Sequence, residues 1–281
     1  MSCVFKIREG LSSDTEAEKK IARYILAYPN ETTLSSAQNL GEKAGVSAAA
    51  VIRFSHKLGY KGFTALKVDL AHDSTDEIKS FDDVIQENDS MSVVVKKAER
   101  LNSSLQDQVY RLLNVENLEK AVNALLKCRT VYLFGVSGSG IVCMDFREKL
   151  TRINHRAFYR SDFHDQLAAA AHMTGKDAAL AVSYSGKTRE VVIGMKYAKE
   201  KGVPTIAITQ FQKSPLLKQI DIPLYIPTTE HELRLGAIAS RNASLIVTDL
   251  LYMGMAKNDI NSTKDDLIKT REIIRRMSRI K

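Results

Sequence analysis

The sequence predicts two domains, a small all-α domain followed by an α/β domain built on a doubly wound parallel sheet. Three observations carry this. From Ser13 to Leu58 the apolar residues recur at helical spacing. From Thr130 to Ile226 short apolar runs alternate with amphipathic ones, the pattern of strands joined by helices. Between the two regions, Asp73 to Ser92 is rich in acids, Ser and Asn and poor in large apolar residues, which marks a boundary. The division expected is therefore 1–75 for the helical domain, 76–110 for a linker and connecting helix, and 111–281 for the α/β domain.

Composition bounds what the chain can be. With 281 residues, 44% apolar and 26% charged, it can bury a sizeable core, and disorder is not expected. The formal charge of +8 permits a nucleic-acid partner without requiring one. Cys3, Cys128 and Cys143 are scattered and show no metal spacing, so neither a metal site nor a disulfide framework is expected. Met1 to Gly10 lacks the apolar core of a signal peptide. No apolar run reaches the roughly 20 residues that span a bilayer, so no membrane is expected, and a reducing cytoplasm fits.

In the first domain Ala17, Ile21, Ala22, Ile25 and Leu26 lie on one helix face, with Ser13 and Glu16 spaced as a capping box and Pro29 as the stop. Ser36 to Ala44 forms a short helix with Leu40 and Ala44 inward. Gly45 breaks it, and Ser47 caps a second helix running to Leu58, with Val51 and Phe54 inward. Gly41 and Ala44 let the two helices cross closely. This is the layout of a helix-turn-helix unit. Ser47 to Lys67 carries Arg53, Lys57, Lys61 and Lys67, with His56 and no acid, as a phosphate-contacting surface requires. An ordinary helical hairpin with a solvated basic face is the alternative.

Helical spacing resumes from Ser92, breaks near Asn114, and restarts with Asn117 as the expected cap. Strands are then expected at Thr130–Phe134, Arg156–Tyr159, Ala178–Val182, Pro204–Thr209 and Pro223–Ile226. Helices fall between them, with Glu232 to Lys257 and the tail from Ser262 following. In such sheets ligands bind beyond the carboxyl ends of the strands. Two turns there carry chemistry. In Ser183-Tyr184-Ser185-Gly186-Lys187-Thr188 a strand passes into a helix, so three hydroxyls, the first N–H groups of the helix and a close-approach glycine suit a phosphate. The alternative is that Ser185 or Thr188 merely caps the helix. Gly135-Val136-Ser137-Gly138-Ser139-Gly140 follows the first strand and resembles a dinucleotide loop only loosely. No acid closes the second strand, so NAD is discounted and no cofactor is expected.

Taken together these residues resemble the RpiR family of bacterial transcriptional regulators, which join an N-terminal helix-turn-helix to a C-terminal SIS (sugar isomerase) domain. The N-terminal likeness lies in Gly45-Val46-Ser47, Val51, Arg53-Phe54, Leu58-Gly59-Tyr60 and Gly62-Phe63. The SIS likeness lies in Gly135 with Ser139, the run Ser183 to Thr188, and Gly236-Ala237-Ile238 with Ser240-Arg241. The resemblance implies that Ser139, Ser183, Ser185 and Thr188 hold an effector's phosphate, with Gly186 as the close-approach glycine. Ser137 stands where glycine is usual and adds a hydroxyl. Lys187 replaces a common Glu, and Ala50 a common Thr. The recognition helix then offers Ser47, Ala48, Ala49, Arg53, His56 and Lys57, with Lys61 beyond it. The alanines supply mainly methyl contacts.

The function expected is a regulator of sugar metabolism that binds a double-stranded DNA operator under the control of a sugar-phosphate effector. A homo-oligomer, dimer or tetramer, is expected because two half-sites lie roughly 34 Å apart. The rival is a phosphosugar isomerase, which needs a base near the sugar's C1 and C2. Glu230, His231 and Glu232 follow the last strand and could serve. Glu230 is otherwise expected to touch a sugar hydroxyl.

Overall fold

The computed structural model describes residues 3–11, 14–74, 85–227 and 236–277, which divide into two compact units, 1–112 and 113–281.

The first unit is helical: α1 (Cys3–Gly10), α2 (Glu16–Ala27), α3 (Pro29–Leu34), α4 (Ala37–Ala44), α5 (Ala48–Lys57), α6 (Phe63–Ser74) and α7 (Met91–Leu112). Its core gathers Ile7, Ile21, Ile25, Leu40, Val51, Phe54, Leu66 and Leu70, so the apolar faces expected of α2, α4 and α5 turn inward, save that Ala17 is exposed and Ala44 half-buried. Ser36 and Ser47 cap α4 and α5, and Gly45 takes the left-handed conformation at φ 68°. Gly41 is where the two helices cross, and a Cβ there would lie 2.8 Å from the Val46 carbonyl.

A local expectation is corrected. The capping box of α2 is Thr15 with Glu18, whose carboxylate accepts from the Thr15 N–H at 2.8 Å; two candidate pairs shared the required spacing. Ser13 lies outside the described residues. As expected, α2 stops before Pro29; the fixed φ of Pro29 also suits a first helical position, and it opens α3. The connecting helix α7 falls in the first unit.

The second unit runs α8 (Val115–Lys127), β1 (Val131–Phe134), α9 (Ser137–Arg152), β2 (Ala157–Phe158), α10 (Phe163–Ala170), β3 (Ala178–Val182), α11 (Arg189–Glu200), β4 (Thr205–Gln210), a 3-10 turn (Leu216–Gln219), β5 (Ile222–Ile226), α12 (Ile238–Asn258) and α13 (Ile260–Met277). Asn114, not Asn117, caps α8, since a side-chain amide reaches the N–H three residues on, and here it is Asn117 that supplies that N–H. The sheet is wholly parallel in the order β2-β1-β3-β4-β5. β3 and β4 are buried along their whole length, as strands covered on both faces must be. Phe134, Ala181, Val191, Met195, Ala207 and Leu216 form the core on one face. The chain reverses its direction of travel across the sheet after β2, between β1 and β3. Both Ser-bearing turns leave the sheet at the carboxyl ends of these two strands.

Candidate functional site

The turn after β1 is held from beneath. Buried Gln166 donates to the Gly135 carbonyl at 3.0 Å and accepts from the Gly135 N–H at 3.3 Å. The Tyr159 hydroxyl donates to the same carbonyl at 3.2 Å. Burial pushes the Tyr159 phenol up to about 12, so it stays a donor. No Cβ fits at Gly135, where one would meet the Cys143 Sγ at 2.7 Å.

The turn after β3 is tied to its neighbours by backbone bonds. Gln210 N–H donates to the Tyr184 carbonyl at 3.0 Å, and Leu216 N–H to the Gly186 carbonyl at 3.1 Å. Gly186 sits at φ 61° and packs against the buried Ser214 hydroxyl, which has no hydrogen-bond partner. The Ser185 Oγ accepts from Lys187 N–H at 3.2 Å and closes the turn. Thr188 stands at the N-cap of α11, yet its side chain makes no cap bond. It accepts instead from the Ser183 Oγ at 3.3 Å.

These turns open into one cavity of about 190 Å³, lined by Ser137, Ser139, Ser185 and Thr188 together with Tyr184, Ser240 and Arg241. Three helices, α9, α11 and α12, begin at its wall, and none has a side-chain cap. Uncapped helix starts present N–H donors and partial positive charge to whatever fills the space. Ser137 and Ala237, both in the lining, are left-handed at φ 54°. Ser137 thus shows why a glycine would suit that position. The Arg241 guanidinium, whose described contact is the Asn242 side chain at 3.4 Å, adds a full charge at the positive end of α12. A cation there is unfavourable by itself and is relieved by an anion.

Four of the expected phosphate residues, Ser137, Ser139, Ser185 and Thr188, therefore share the cavity. Ser183 does not line it: 3% exposed, it sits behind Thr188 and orients that hydroxyl. Gly186 shapes the turn from outside the lining, and Glu230 lies outside the described residues, as do His231 and Glu232. Sequence reasoning left Tyr184, Ser240 and Arg241 out of the site. For Ser240 and Arg241 the available signal was their part in the SIS likeness, beside Gly236-Ala237-Ile238.

On the first unit, Ser47 is spent on the Ala50 N–H at 3.2 Å. Ala49, Arg53, His56, Lys57 and Lys61 are exposed, with Ala48 half-buried. His56 Nδ1 lies 3.0 Å from the Tyr60 carbonyl, leaving its other ring nitrogen outward. Lys57 departs from expectation. Its ammonium lies 2.9 Å from Asp14 and 2.8 Å from Glu18, so the acid-free stretch is not acid-free in space. Lys67 likewise turns to the Ser35 carbonyl at 2.9 Å.

Comparison with known proteins agrees with this layout. The helix-turn-helix domain of the rpiR family matches residues 1–77, and the SIS domain matches residues 124–254. A Caldanaerobacter subterraneus protein named as an HTH-type transcriptional regulator is 37% identical over 268 residues, 95% of each chain. The structure of Vibrio vulnificus NanR complexed with ManNAc-6P superposes with a TM-score of 0.62 at 25% identity, covering 98% of this chain and 99% of that one. A phosphoheptose isomerase from Francisella tularensis shares the fold of the second unit, with a TM-score of 0.51 at 16% identity, covering 60% of this chain and 100% of that one.

Proposed function

The chain belongs to the rpiR family of helix-turn-helix transcriptional regulators with a SIS domain, and from that premise we propose that a sugar phosphate bound in the SIS cavity controls its affinity for DNA. The observation that carries the reading is the convergence of three uncapped helix starts, five serine and threonine hydroxyls and Arg241 on one cavity. The phosphate takes the N-termini of α9 and α11 with Ser139, Ser185 and Thr188, because N–H and O–H donors there face an anion with no competing cap. Arg241 and Ser240 meet it from α12. That NanR, alike over its whole length, is solved with ManNAc-6P supports the ligand class.

The isomerase reading needs a base in the cavity. The candidates for that base, Glu230, His231 and Glu232, lie outside the described residues, and a helix-turn-helix serves no isomerisation. We take the protein to be a regulator without enzymatic activity.

Thermal-shift titration against hexose and hexosamine 6-phosphates tests the ligand. At a hundredfold excess over Kd the bound ligand stabilises the fold by about 2.7 kcal/mol. At least one phosphorylated sugar is expected to raise Tm by several degrees while its unphosphorylated parent does not. Ser185→Ala with Thr188→Val is expected to abolish the shift. A panel with no active member, or an unimpaired double variant, would refute the reading.

A further inference from the structure

Lys57 is the last residue of α5, the helix that carries Arg53 and His56. Its ammonium is held by two carboxylates from the start of α2, Asp14 at 2.9 Å and Glu18 at 2.8 Å. Glu18 is itself fixed, since it accepts from the Thr15 N–H in the capping box of α2. The Asp14 side chain is 1% exposed, and its second carboxylate oxygen is buried with no partner. Burying a carboxylate in this way costs stability, and such pairs are weak devices for stability but can set geometry. Two carboxylates also outweigh the single charge of Lys57, so its end of the helix has little attraction left for a phosphate. Among the described residues Arg53 and Lys61 have no carboxylate partner, and both are exposed.

We propose that Lys57 is a positioning residue, not a phosphate contact: with Asp14 and Glu18 it locks α5 to the start of α2 at the angle from which the exposed face of α5 reads a DNA major groove. This rests on the DNA-binding reading of the first unit. The consequence is a division of labour on one helix. Arg53 supplies sequence-independent attraction, whereas the Lys57 cluster supplies the alignment that makes base contacts selective.

The test uses the full chain and a duplex that the wild-type protein enriches from a random pool, with a scrambled duplex as control, across a range of salt. Lys57→Met and Asp14→Asn are each expected to lower the preference for the enriched duplex by about tenfold. Both should leave the slope of log K against log salt unchanged, and Lys57→Arg should restore the preference. Arg53→Ala should lower the slope by about 0.9. If Lys57 contacts phosphate instead, Lys57→Met lowers the slope by the same amount and Asp14→Asn, by freeing the lysine, tightens binding to both duplexes. Either result overturns the proposal, as does an unchanged preference in Lys57→Met. Should circular dichroism show that Lys57→Met or Asp14→Asn fails to fold, Glu18→Gln decides, with a reduced preference at constant slope expected and tighter binding to both duplexes overturning it. A wild-type protein that enriches no duplex refutes the DNA reading itself, an outcome distinct from these.

Discussion

Ser137 combines two properties that a single substitution separates. Its backbone is left-handed, a conformation that costs a non-glycine residue roughly 1–2 kcal/mol, and its side chain lines the cavity. Ser137→Gly is expected to raise the unfolding midpoint in urea while weakening sugar-phosphate binding, because it removes strain and a hydroxyl together. A variant that gains stability and binds as well as wild type would show that this hydroxyl does not meet the ligand. Asp177 illustrates a charge with a purely structural task. Burial pushes its carboxyl up, but the paired bonds from Arg129 at 2.9 and 3.0 Å and those from Thr174 outweigh burial and hold it below the ordinary value. The unfolded chain therefore takes up this proton at a higher pH than the folded one. The stability Asp177 contributes is fully present above the unfolded pKa of about 3.9 and is lost as pH falls through the lower folded value. Urea unfolding of Asp177→Asn between pH 6 and pH 3 should show a shallower acid decline than wild type, within about those limits of pH where carboxylates titrate.

Among the elements, α11 matters most to the site, because its start meets the cavity and its body packs on the sheet. Gly194 makes that packing close: a Cβ there would lie 2.7 Å from two ring atoms of the fully buried Phe134. Gly194→Ala is expected to cost about 1–3 kcal/mol, read as a lower urea midpoint at unchanged slope. Helices α2, α4 and α5 were legible because their faces repeat within a few residues, as Ile21, Ile25, Val51 and Phe54 show, whereas α1 and α6 were not expected. The strands were legible as short apolar runs, and each lies within two residues of its expected bounds. Caps were less so, since Thr15–Glu18 competed with an equally spaced pair and only the fold of α2 selects between them. Helix α3 escaped notice because Pro29 reads equally as a stop and as a start.

At the level of the whole molecule, regulation requires that the effector bind the DNA-competent and DNA-incompetent states unequally. The coupling is reciprocal, and typical couplings change affinity by about 5–150-fold. Ser185→Ala with Thr188→Val is therefore expected to bind the enriched duplex as tightly as wild type without ligand, but with no response to the sugar phosphate that shifts the wild-type Tm. Fluorescence anisotropy with and without that compound checks it. Loss of DNA binding in the unliganded variant would mean that these hydroxyls serve the fold more than the effector.

Read alone, the sequence determined the order of the strands, the division into helical and α/β parts, and the two hydroxyl-bearing turns at the ends of β1 and β3. All of these follow from residues close together along the chain. Tertiary structure decided which of those hydroxyls face the cavity and which, like Ser183, stand behind it. It also brought Arg241 to the same wall, from beyond the last strand. It decided, too, that Lys57 is neutralised by carboxylates 43 and 39 residues away. The reason is physical: burial and charge pairing depend on distance through space, and spacing along the chain does not report that distance once the chain has folded.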